Sequence, residues 1–319
     1  MGKSVSRLWV VTSYFNPAGY RRKLLNYKVF RQRLSAPLLA VELSHDARFE
    51  LGPDDADVLV QLRGGDVMWQ KERLLNIAIG HLPNDCDYVA WLDCDVIFGR
   101  SDWPSAAARA LDRFSVCHLY RSVYHLVRDA ASIGRETATL AHESFGYAVT
   151  SGLATPVAST TDGVAGVFRR GHAWCARRET VAAHGLYDRN VLGAGDKLLA
   201  HTVTGQTEEV IVWDGMGPGH ADDYRRWAAR FRRVATGLGY IEGDIFHLWH
   251  GDQKRRRYSG RLQILSSCGY DPATDIALDV EGCWRWNSAK PEMHRLVREY
   301  FEQRDEDGSG VSRDEWSSP

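Results

Sequence analysis

The chain has 319 residues, 44% of them hydrophobic and 25% charged, with a formal net charge of −1. That is long enough for one large core and ordinary for a soluble globular protein. No apolar run approaches the ~20 residues of a membrane span, and the six cysteines show no C-x-x-C pair, which excludes a zinc ribbon or a redox motif. The opening residues lead into a strand too short to be a signal-peptide core, so the expected location is cytoplasmic, with the cysteines as small buried hydrophobes.

In chain order, Leu8–Tyr14 reads as a buried strand, and Asn16-Pro17 predicts a helix capped by Asn with Pro in its first turn. Leu38–Leu43 and Asp57–Leu62 follow as strands, then a helix over Gln70–Gly80 and a short strand ending at Asp93. This alternation implies an α/β fold, a mostly parallel sheet with helices on both faces, whose ligands bind at the carboxyl ends of the strands. Further on, 105–114 reads as helix, 116–120 as strand, and 172–178 as a strand running into a helix that ends at His184-Gly185. Another helix starts at Gly193-Ala194-Gly195-Asp196, and helices are expected over 222–235 and 291–303 with a strand at 247–251. The Gly/Ser/Thr-rich stretch 144–170 reads as a mobile segment near the site, and 304–319 as a polar flexible tail.

Three constellations carry chemistry. Asp93-Cys94-Asp95 follows the apolar run Tyr88–Leu92, so two carboxylates leave a buried strand one residue apart, a shape suited to a divalent cation. In His247-Leu248-Trp249-His250-Gly251 a neutral imidazole can complete such a site, with His250 and His247 expected on opposite sides of a strand. Lys254, Arg255, Arg256 and Arg257 follow at once and can clamp a diphosphate. Asp196, opening a helix beside two glycines, is a candidate general base. Charge is also uneven: between His220 and Arg261 ten Lys/Arg face five acids, a local excess that suits a phosphate-bearing ligand.

With Val10–Asn16, Asp93-Cys94-Asp95, Gly166–Asp196 and His250, residues from about 8 to 265 resemble a GT-A glycosyltransferase of the nucleotide-diphospho-sugar superfamily. Cys268–Trp286 matches nothing in that pattern, and Lys197 stands where some branches carry a second acid. The resemblance implies a Rossmann-like domain over 1–303, with a donor half to about 104 and an acceptor half from 105. It also implies a Mn²⁺ or Mg²⁺ cofactor held by Asp95 and His250, with Asp93 bridging through water or near the ribose. Thr12, Tyr14 and Asn16 would line the nucleoside, Arg63 and Lys71 the same pocket, and Lys254 and Arg257 the diphosphate. The implied activity is transfer of a hexose from a nucleotide sugar, UDP-linked, to a hydroxyl of a carbohydrate or glycoconjugate.

Rival readings remain. The basic, aromatic-interleaved run Arg225–Arg233 suggests hydroxymethylated DNA (5-hydroxymethylcytosine) as acceptor, as in phage-associated DNA-base modification. A sugar-phosphate nucleotidyltransferase would want an early glycine-rich loop where Asn16-Pro17-Ala18-Gly19 stands, and a lectin-like module would have little use for a cation site. Asp305–Gly310 looks like the start of a calcium loop but lacks the closing acid. Trp174, Trp249 and Trp284 are candidates to stack on a sugar or a base.

Overall fold

The computed structural model describes residues 7–46, 48–153, 168–256 and 260–308. The amino-terminal third alternates as expected: β1 (Leu8–Phe15), α1 (Arg21–Arg33), β2 (Leu38–Ser44), β3 (Val58–Arg63), α2 (Lys71–Gly80) and β4 (Tyr88–Leu92). One boundary is corrected. Asn16 does not cap α1, which starts at Arg21; instead Asn16 Oδ1 accepts the Tyr20 N–H at 2.9 Å and closes a turn before the helix.

Beyond β4 come β5 (Val96–Phe98), α3 (Trp103–Ala110), β6 (Val116–His118), β7 (Ser122–Leu126), β8 (Ala138–Ser144), α4 (Phe145–Thr150), β9 (Phe168–Arg169) and β10 (Ala173–Arg177). The expected mobile stretch 144–170 thus contains α4 and β9, while 154–167 lies outside the described residues. Then follow α5 (Arg178–Ala182), α6 (Gly195–Val203), α7 (Thr207–Asp214), α8 (Pro218–Phe231), β11 (Leu238–Tyr240) and β12 (Asp244–His247). The chain finishes with α9 (Gln263–Ser267), α10 (Pro272–Asp275), β13 (Ile276–Leu278), β14 (Trp284–Trp286) and α11 (Pro291–Glu302). No described helix is long and apolar enough to cross a membrane.

Seven of these strands form one sheet in the order β11-β6-β10-β4-β1-β2-β3, parallel except where β10 runs against both β6 and β4. Successive residues point to opposite faces. Val11, Leu39 and Trp91 pack on one side with α2, α6 and α8, while Val10, Leu38 and Ala90 pack on the other with α1 and α3. Burial on both faces explains why these strands read as unbroken apolar runs.

A second sheet, β5-β12-β7-β8-β9, was not foreseen. It pairs Val96–Phe98, directly after the D-x-D, with Asp244–His247. The division at 104/105 falls inside α3, and the two halves are laced together by β4–β10 and β5–β12. The β13–β14 hairpin, from the stretch that matched nothing, braces the start of α2. Gln70 Oε1 accepts the Trp284 N–H at 3.0 Å, and its Nε2 donates to the Trp284 carbonyl at 2.7 Å.

The tail boundary at 304 is also corrected. Arg304, Asp305 and Glu306 are buried, because the chain after α11 turns back across the body. Asp307 accepts the backbone N–H groups of Arg21 (3.1 Å) and Arg22 (2.7 Å). A carboxylate from the far end of the chain therefore caps α1, and it is engaged with that helix rather than opening a calcium loop.

Candidate active site

Because β10 runs antiparallel to β4, its start lies beside β4's end. Ala173 pairs with Leu92, and the Asp93 N–H donates to the His172 carbonyl at 2.8 Å. The Leu248 N–H donates to the Asp95 carbonyl at 2.9 Å, drawing the segment after β12 to the same point. Two non-glycine residues flanking the site, His172 (φ 82°) and Ala194 (φ 74°), sit in the left-handed region, a strain that packed surroundings must hold. A cavity of about 390 Å³ opens here, at the carboxyl end of the parallel strands.

On one side of the cavity Asp95 meets two imidazoles. Its Oδ2 lies 3.2 Å from His250 Nε2, its Oδ1 3.7 Å from His247 Nε2, and the two Nε2 atoms are 3.0 Å apart. The three donor atoms fall within 4.8 Å of one another. Burial, followed by the neighbouring His250 and His172, keeps the His247 pKa well below the usual imidazole range. Burial and then the Arg256 guanidinium lower that of His250. Both rings are therefore neutral, the form that binds a metal. Asp95 Oδ1 is buried with no hydrogen-bond partner. A buried orphan carboxylate oxygen facing two neutral imidazole nitrogens fits a divalent cation.

Opposite stands an ion-paired group. Lys71 Nζ is 2.6 Å from Asp93 Oδ1 and 2.8 Å from Asp196 Oδ2. Burial alone would depress the lysine's pKa, but Asp196 and Asp93 outweigh it and hold the ammonium charged. For Asp93, burial is overcome by Lys71 and then His172, so its pKa falls. For Asp196, burial prevails over Lys71 and its pKa rises. Glu72, next along α2, is pushed up to about 8 by burial, with Lys71 opposing.

The predicted residues divide. Lys71, Asp93, Asp95, Asp196 and His250 line this one cavity. Thr12 is buried in β1, its hydroxyl donating to the Leu92 carbonyl at 2.8 Å. Tyr14 is buried and its hydroxyl donates to Glu50. Asn16 also bonds Glu50 (3.1 Å) and borders a small adjoining cleft. Arg63 lies over the Phe49 ring at 4.9 Å, away from the cavity. Lys254 is exposed, and Arg257 lies outside the described residues.

Several residues were missed. His247 was expected on the opposite side from His250, but β12 ends at His247, so the period-two rule stops applying there. Among the described residues of the cationic run, Arg256 enters, its Nη2 donating to the His250 carbonyl at 3.0 Å. His125, Glu72, His172 and Glu306 also line the cavity. The three candidate tryptophans make contacts within the protein: Trp174 stacks on Trp91 within the sheet, Trp249 carries Arg22 and Arg128, and Trp284 carries Arg73 and Arg189. On α8, Arg225 pairs with Glu208 and Asp222, and Arg226 with Asp223.

No protein-family model matches the chain, and no curated protein matches it. Solved structures do. The chain is similar to S. aureus TarS 1–349 at 9% identity, over 93% of this chain and 71% of that one, with a TM-score of 0.37. It is similar to 4-diphosphocytidyl-2C-methyl-D-erythritol synthase from Anaerococcus prevotii (10%, 75% and 87%, TM-score 0.38). It is also similar to glucosyl-3-phosphoglycerate synthase from Mycobacterium tuberculosis, solved with Mn²⁺, UDP-glucose and phosphoglyceric acid (13%, 86% and 84%, TM-score 0.38).

Proposed function

We propose that the protein is a metal-dependent glycosyltransferase that moves a hexose from a nucleotide sugar, UDP-linked, to a hydroxyl of a carbohydrate or glycoconjugate. The observation that carries this is the juxtaposition of Asp95, His247 and His250 with the Lys71-bridged pair Asp93 and Asp196 in one cavity. Asp95, His247 and His250 would hold the cation, and two imidazoles among three donors favour Mn²⁺ over Mg²⁺. When bound, such an ion offsets the charge that builds on a departing nucleoside diphosphate.

The chain's own groups do the rest. Arg256, in contact with His250, is positioned to meet the diphosphate. Lys71 fixes the carboxylates of Asp93 and Asp196 at a set spacing. Asp93 is thereby oriented for a sugar or ribose hydroxyl. Asp196 takes the proton from the acceptor hydroxyl, its raised pKa making it a stronger base than an exposed aspartate. A glycan acceptor is favoured over DNA because Arg225 and Arg226 of α8 are engaged with protein carboxylates.

The test is a panel of nucleotide sugars incubated with and without Mn²⁺, following free nucleoside diphosphate. Mn²⁺-dependent release from one UDP-hexose, abolished in Asp95→Asn, is expected. Release of pyrophosphate from a nucleoside triphosphate and a sugar phosphate instead would make the protein a nucleotidyltransferase.

A further inference from the structure

We propose that His125 is a positioning residue for the cation site: its Nδ1 accepts the Nδ1 proton of His247 and holds that ring in its ligating tautomer. The proposal rests on the cation reading above and goes beyond it, since His125 is not one of the three donor residues of that cluster.

β7 and β12 are parallel neighbours, and His125 stands directly beside His247 in their register, so both side chains project from the same face. The rings meet edge to face, 4.9 Å between centroids at 72°. Their Nδ1 atoms are 3.1 Å apart. Both residues are buried, at 6% and 8% exposure.

Two neutral imidazole nitrogens at that distance share one proton, which leaves two arrangements. With the proton on His247 Nδ1, its Nε2 is bare and its lone pair faces Asp95 Oδ1 and His250 Nε2. With the proton on His125 Nδ1, His247 carries its own proton on Nε2 and can no longer ligate. A cation binds only the first arrangement, so its affinity falls with the fraction held in the second. The group at position 125 thus sets how much of the protein is ready to bind. An acceptor there favours binding, and an apolar group gives the His247 Nδ1 proton no partner.

The experiment is calorimetric titration of the full-length protein with MnCl₂, for wild type and for His125→Leu, His125→Asn and His125→Asp. The unfolding midpoint of each metal-free variant is recorded alongside. Asn and Asp place an oxygen near the position of the histidine Nδ1, and Asp can only accept. His125→Leu is expected to weaken Mn²⁺ about 10–100-fold, the range typical of lost outer-shell partners. His125→Asn should stay near wild type, and His125→Asp should equal or exceed it. A folded His125→Leu that binds Mn²⁺ like wild type would overturn the proposal while leaving the cation site standing. So would His125→Asp binding more weakly than His125→Asn, a comparison that holds even if the Leu variant does not fold. Wild-type protein that takes up no Mn²⁺ would remove the site and this proposal together.

Discussion

Lys71 is the residue on which the ion-paired side of the cavity depends. Its ammonium lies against Asp93 and Asp196 at once, and removing it would leave two partly buried carboxylates without their shared counter-charge. Lys71→Met is therefore expected to lower transfer by at least about 100-fold and destabilise the fold by roughly 3–5 kcal/mol. Steady-state kinetics and urea unfolding check both. Asp196→Asn should lower kcat without changing Mn²⁺ affinity; a parallel loss of Mn²⁺ would move Asp196 from proton acceptor to ligand.

His118 gives a residue-scale test in pH. Its Nδ1 accepts the Gly146 N–H at 3.0 Å, and its Nε2 faces the Arg170 carbonyl at 3.2 Å, so the proton resides on Nε2. Burial pushes its pKa down to about 3. The unfolded chain binds this proton near 6.5 and the native state does not. The contribution to stability is therefore complete above about pH 6.5 and is lost progressively as pH falls toward 3. At pH 5 the loss from this one ring is about 2 kcal/mol. Comparing His118→Gln with wild type by urea unfolding at pH 7.5 and pH 5.0 isolates it. The variant should lose less stability on acidification, and equal losses would contradict the account.

At the scale of elements, the segment after α11 does more than end the chain. Asp307 caps α1, the Arg304 guanidinium lies 5.3 Å over Trp69, and Glu306 lies 3.8 Å from His250 Nδ1. Gly251 makes room for it. Its φ is +90°, and a Cβ there would come within 2.6 Å of the Asp305 carbonyl oxygen. Gly251→Ala is expected to displace the segment, destabilise the protein by about 1–3 kcal/mol and weaken Mn²⁺ binding. Thermal unfolding and metal titration both report on it; an unchanged midpoint would mean the close approach is not needed.

What could be read in the sequence follows from how local each feature is. That Asp93 and Asp95 would stand at the cavity was legible because a strand end and its carboxylates are contiguous, and the place of Lys71 because it opens a well-patterned helix of nearly three turns. His250 was legible through its neighbours Gly251 and Lys254–Arg256. His125 was not, because its meaning depends on β7 lying beside β12, a pairing across more than a hundred residues. Glu306 was hidden by composition: a polar, acidic stretch reads as a tail unless its partners, the α1 backbone and His250, are known. Thr12 and Tyr14 sit on β1 and Asn16 directly after it, and all three hydrogen-bond within the protein, to the Leu92 carbonyl and to Glu50.

At the scale of the whole molecule, the site exists because the chain crosses itself twice at one point. β4 takes its antiparallel neighbour from residues 173–177 and β5 its partner from 244–247, so neither the D-x-D nor the histidines can be held by one half. Residues 1–104 expressed alone are expected to show no cooperative unfolding by near-ultraviolet circular dichroism. A sharp transition would mean that the donor half is a domain in its own right. The stacked indoles of Trp91 and Trp174, 6.1 Å apart across β4 and β10, tie the halves within the sheet, and Trp174→Ala should cost about 3–5 kcal/mol.

The most direct measurement is an anomalous-difference map from crystals soaked in MnCl₂ and UDP. A single strong peak within bonding distance of an Asp95 carboxylate oxygen and the Nε2 atoms of His247 and His250 is the result expected. A peak held by Asp93 and Asp196 with Lys71 displaced, or none in the cavity at all, would contradict the account.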